Sequence, residues 1–152
     1  ECGGEACTRI DLPLLFHAVD GIGVDKDVKT DALLKAGADP LATDAEGFSP
    51  LKRLVASLCA DAEDSATSYR AFFRGLSELK AEGLPLTSSR EEFVAGVTPV
   101  LRAYVDQFAG EIPITESYEY AKEWRAENVI CIVLLCAYEG WARYTHARSK
   151  AT

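Results

Sequence analysis

Between Ala32 and Leu51 this chain stops one helix and starts another, and that punctuation constrains the fold more than any other feature of the sequence. Ala32-Leu33-Leu34-Lys35 reads as the last turn of a helix. Gly37 follows, and a glycine takes the left-handed conformation that ends a helix without a Cβ penalty. Asp39-Pro40 and Glu46-Gly47 are turn-forming pairs. Ser49 can cap the next helix through its hydroxyl. Pro50 suits the first helical position, where its missing N–H costs nothing. Only 13 residues lead from Gly37 to Pro50, which leaves room for a tight hairpin and nothing else.

This order of a Leu-Leu-x-x-Gly-Ala-Asp-Pro helix end, a hairpin and a Ser-Pro-Leu helix start resembles the ankyrin repeat, chiefly over residues 32–55. The resemblance implies an all-α fold: a short ankyrin-like helical solenoid of two to three helix pairs, with a long C-terminal capping helix. It implies a single domain over 1–152, with ankyrin-like repeats at 10–86 and a divergent third unit and cap at 90–150. It also implies a non-catalytic protein-binding module, since repeat stacks mostly present surfaces. The family binds through its hairpin tips and the adjoining helix face. Carried over by position, that names Leu41, Thr43, Asp44, Ala45, Glu46 and Phe48 on the hairpin, with Lys52 and Arg53 on the next helix. A purely turn-shaping role for Asp44 and Gly47 stands beside that assignment.

Three proline-containing helix openings line up: Leu12-Pro13-Leu14, Ser49-Pro50-Leu51 and Thr98-Pro99-Val100. The prolines are 37 and 49 residues apart, so the units exceed the ~33 residues of a standard repeat. Gly37 and Gly83 match as helix-closing glycines. Pro13 to Gly37 is 24 residues and Pro50 to Gly83 is 33, which places an extra exposed loop at Asp61 to Thr67. The family's loop-bridging histidine is replaced by Leu15, Lys52 and Leu101, and residues 86–97 contain no hairpin. The last third predicts one long helix over 118–147, buried along Val129, Ile130, Val133, Leu134 and Ala137, with Arg143, His146, Arg148 and Lys150 near its end. Trp124 and Trp141 read as packing residues of this cap.

Composition narrows the partners. With 48% hydrophobic and 26% charged residues among 152, the chain has enough apolar material for a core. Its formal charge of -8 disfavours nucleic acid and anionic lipid. The expected partner is another protein, of basic character, although net charge also serves plain solubility. The first 68 residues carry 13 of the 24 acidic and 6 of the 16 basic side chains, so the acidity sits with the repeat-like half. Val129 to Ala137 is continuously apolar but far short of the ~20 residues that span a bilayer, so no membrane insertion is expected.

Cys2 and Cys7 flank Gly3-Gly4 and are a candidate disulfide pair; Cys131 and Cys136 lie on different sides of one helix and read as core. No metal or cofactor is expected, because neither His17 nor His146 joins a ligand cluster. His17, between Phe16 and Ala18, reads as a structural histidine on an apolar face. No phosphate loop, Gly-x-Ser-x-Gly or His-Glu-x-x-His occurs, so no enzyme is expected. An acidic, compact, catalytically empty protein suits a bacterial inhibitor or immunity protein that neutralises a toxin or enzyme. The alternative is an enzyme or small-ligand-binding protein on a divergent helical scaffold. The sequence opens at Glu1 without any Met, which together with the Cys2/Cys7 pair favours a periplasmic or secreted location over a cytoplasmic one. The oligomeric state is left open.

Overall fold

The computed structural model describes residues 13–20, 25–59, 65–81, 89–111 and 121–151. Among these, every regular element is a helix and none is a strand: α1 Leu14–Asp20, α2 Lys26–Lys35, α3 Pro50–Cys59, α4 Ser65–Ala81, α5 Arg90–Glu111 and α6 Ala121–Ala151. The described residues are all-α, as the sequence predicts. Cys2, Cys7, Gly83 and residues 61–64 lie outside the described residues.

The helix stop at Gly37 forms as its chemistry dictates. Gly37 adopts φ +103°, its N–H donates to Leu34 O (3.1 Å), and Ala38 N–H donates to Leu33 O (3.0 Å). That pair of bonds satisfies two carbonyls which a helix end would otherwise leave open. The α3 start is equally faithful. Ser49 Oγ accepts the Lys52 N–H (3.3 Å), Ser49 O accepts the Arg53 N–H (2.9 Å), and Pro50 is the first helical residue. Residues 65–67, expected in a loop, are instead the first turn of α4.

The third proline behaves differently. No helix opens at Thr98-Pro99; α5 begins at Arg90 and carries Pro99 inside it. Its start is set by Ser89, whose Oγ accepts the Glu92 N–H (3.1 Å), with Glu91 and Glu92 in the first turn. A proline inside a helix costs roughly 3 kcal/mol. Phe93, Val97, Leu101, Val105 and Phe108 form a buried stripe that runs straight past it, while Pro99 itself is exposed. Burial of that stripe outweighs one missing donor.

The helices pair in chain order, α1 with α2, α3 with α4 and α5 with α6, and α1 also packs on α3. α6 then departs from a one-dimensional order by packing on α2 and α3 as well as on α5. In a strictly linear stack each unit meets only its neighbours. Here the third pair meets the first directly, and the helix expected to close one end runs through the middle. One core cluster draws side chains from all six helices.

The position of α6 changes which of its residues are buried. From Asn128 to Gly140 only Ile130 and Leu134 are partly exposed. Cys131, Ile132, Leu135, Cys136 and Tyr138 are buried alongside the expected Val129, Val133 and Ala137. A one-sided stripe was the wrong pattern, because a helix packed on several sides is apolar nearly all round. Trp141 packs as expected, its ring 5.5 Å from those of both Phe93 and Tyr144. His17 corrects another expectation, since it lies on the exposed face of α1 between buried Phe16 and Ala18.

Polar ties fix α5 and α6 to the rest. Arg90 donates to Leu34 O (3.3 Å) and Lys35 O (3.0 Å) at the C-terminus of α2, and its guanidinium lies 5.4 Å from the Tyr138 ring centroid. Tyr104 Oη donates to Phe72 O (2.6 Å), joining α5 to α4. Gly75 permits that approach, because a Cβ there would run into the Tyr104 ring.

Candidate binding surfaces

The segment 38–48 has no strand, yet it is tightly organised around one carboxylate. Asp44 Oδ1 accepts the N–H groups of Glu46 and Phe48, each at 2.9 Å. Asp44 Oδ2 accepts Arg53 Nη1, also at 2.9 Å. Across the turn, Asp44 N–H donates to Phe48 O and Gly47 N–H donates to Asp44 O, both at 3.0 Å. Gly47 holds φ +84°, so its part in the turn is conformational. The Asp44 side chain is 7% exposed. The Phe48 amide, then the Glu46 amide and the Arg53 guanidinium, hold its carboxyl below the ordinary aspartate range against the opposing effect of desolvation. Arg53 also lies 5.7 Å above the Phe16 ring centroid.

The eight residues assigned to partner binding therefore divide. Asp44 and Arg53 are engaged with one another and hold the turn. Thr43, Ala45, Glu46 and Lys52 are exposed, and Leu41 and Phe48 are half-buried. What the loop offers outward is a short, mixed polar surface held from within by hydrogen bonds.

A second surface was not anticipated from the sequence. α3, α4 and α6 enclose an open cleft of about 560 Å³, lined by Lys52, Tyr69, Arg70, Phe73, Leu76, Ser77, Glu139 and Arg143. Tyr69 and Phe73 are one helical turn apart on α4, with ring centroids at 4.9 Å, and form an aromatic wall. Glu139 is only 6% exposed. Its Oε1 accepts Arg143 Nε (3.1 Å) and Nη2 (3.0 Å), while its Oε2 is buried with no hydrogen-bond partner. Lys52 and Arg70 are exposed on the same cleft. Glu139 interrupts an apolar run four residues before Arg143, a visible pairing signal in the sequence. Its burial was not visible, because that follows from the position of α6 among α2, α3 and α5.

The remaining chemistry is quiet. Cys59, Cys131 and Cys136 are buried core residues. Burial pushes the Cys131 thiol up to about 11, against a hydrogen bond to Thr30 Oγ1 at 3.7 Å, so at neutral pH it is a protonated packing group. Among the described residues no group of three His, Cys, Asp or Glu side chains could hold a metal ion. Among the same residues, no helix is long and apolar enough to cross a membrane. No protein-family model, curated protein or solved structure matches this chain.

Proposed function

We propose that the chain is a non-catalytic protein-binding module of ankyrin-like design, and that it recognises its partner through the 41–48 loop and the start of α3. The observation that carries this reading is the Asp44-centred turn. It spends its hydrogen bonds internally and leaves Thr43, Ala45 and Glu46 exposed on a loop already organised without a partner, with Lys52 exposed beside them on the first turn of α3. A preorganised loop loses little conformational entropy on binding. The resemblance over residues 32–55 and the consecutive helix pairs α1–α2 and α3–α4 support the same reading. The formal charge of -8 suits a basic partner, and an inhibitor or immunity protein acting by occlusion is the narrower form of the proposal.

The test is a binding measurement with a charge reversal. A partner is identified by affinity capture with the full chain, and its affinity is then measured for wild type and Glu46→Lys. Because Glu46 is exposed and its side chain makes no tie to a described residue, the melting temperature should stay put. Affinity should fall by about tenfold or more, as expected for an interfacial charge placed against its own sign. Unchanged affinity would remove the loop as the recognition surface.

A further inference from the structure

The α3–α4–α6 cleft carries chemistry that the loop reading does not use. Three features there need explaining together. A buried carboxylate has one oxygen without a hydrogen-bond partner, although buried polar groups are normally satisfied. Lys52 and Arg70 stand on the same cleft, and neither makes an ion pair with a described residue. Tyr69, Phe73 and Leu76 supply an apolar wall to the same cleft. The volume of about 560 Å³ lies within the usual range of small-ligand pockets, about 300–1,000 Å³.

Each simple ligand class answers only part of this. An organic anion would satisfy Lys52 and Arg70 but would place its charge near Glu139 and leave Oε2 without a donor. An organic cation would satisfy Glu139 but would meet the two cations. An uncharged apolar molecule would use the aromatic wall alone. A ligand that carries a donor cation and an acid on one short apolar frame answers all three.

We propose that this cleft binds a small amphoteric molecule of the α-amino-acid class with an apolar or aromatic side chain. Its ammonium donates to Glu139, its carboxylate pairs with Lys52 and Arg70, and its side chain packs on Tyr69, Phe73 and Leu76. Arg143 holds Glu139 in place through Oε1; Oε2 is enclosed in the free protein and meets the ammonium when the Glu139 side chain turns toward the cleft. The site is independent of the partner-binding reading, with Lys52 as the one residue common to both surfaces.

Calorimetric titration of the full chain tests this with L-phenylalanine, L-leucine and two fragments. 3-Phenylpropionate lacks the ammonium and 2-phenylethylamine lacks the carboxylate. L-Phenylalanine should bind about tenfold more tightly than either fragment, the step expected when one charge-assisted contact is lost. Lys52→Ala, at an exposed position, should weaken L-phenylalanine and 3-phenylpropionate and spare 2-phenylethylamine. Glu139→Gln should erase the advantage of L-phenylalanine over 3-phenylpropionate. Where that buried substitution fails to fold, Lys52→Ala carries the discrimination alone. The proposal is overturned if neither amino acid binds wild type, if L-phenylalanine binds no better than its fragments, or if Lys52→Ala weakens all probes alike. None of these outcomes bears on Glu46 and the protein partner.

Discussion

The 37–49 turn and the middle of α6 are held together by opposite means. The turn buries little and rests on directed hydrogen bonds between residues close in sequence: Gly37 to Leu34, Ala38 to Leu33, Phe48 and Glu46 to Asp44, Lys52 to Ser49. The middle of α6 makes long-range contacts with α2, α3 and α5 and rests on burial. The first kind of structure is written in residue identity, because only certain side chains cap, turn or reach a left-handed φ. The second depends on what arrives from elsewhere in the chain, so the same residues would suit several different packings.

The largest effect that sharpens this contrast should come from α6. Leu135 is 1% exposed and Leu134, its neighbour, is only half-buried. Leu135→Ala should cost ~2–5 kcal/mol in urea unfolding, the usual range for truncation in a packed core. Leu134→Ala should cost clearly less. Equal losses would mean that Leu134 is packed as fully as Leu135, and a larger loss at Leu134 would restore the one-sided stripe through Val129, Ile130, Val133, Leu134 and Ala137.

How much was legible follows from the same division. Gly37, Asp44, Gly47, Ser49 and Pro50 each perform the role their chemistry suggests, since each acts within a few residues of itself. Pro99 misled because a proline is a local signal that a long apolar stripe can override. The true α5 start was present as Ser89 followed three residues later by Glu92, a cap signature independent of proline. The cleft stayed hidden because Lys52, Arg70 and Glu139 come together only when α6 settles beside α3, and no spacing in the sequence records that meeting.

A smaller effect is expected where two helices approach through a missing side chain. Gly75→Ala should push the Tyr104 ring off α4, break its bond to the Phe72 carbonyl, and cost ~1–3 kcal/mol. Near-ultraviolet circular dichroism should report the displaced tyrosine. If Gly75→Ala instead stabilises the chain, the glycine was tolerated as a weak helix former, and α4 and α5 have slack between them.

The smallest change belongs to the turn, and pH reads it. The Asp44 carboxyl titrates below its ordinary value of 3.8, so its ionised form is favoured by folding. That contribution is complete above the unfolded value and fades as pH falls through the lower folded one. Asp44→Asn keeps an acceptor for the Phe48 and Glu46 amides and removes the charge. Its stability curve should lack the part of the acid-side decline that wild type shows below about pH 4. Superimposable curves would mean that the amide bonds hold the loop without any help from ionisation.

The packing of α6 on α2 bears on how the chain is made. A ribosome emits α1 and α2 long before the helix that covers them, and domains tend to fold as units once their parts have emerged. Residues 13–59 therefore leave the exit tunnel with the helix that covers α2, and the Arg90 clamp, still to come. Linear arrays tolerate shortening from one end, because each remaining unit keeps most of its neighbours. This chain should not: truncation before α6 would strip partners from the first, second and third helix pairs in a single step.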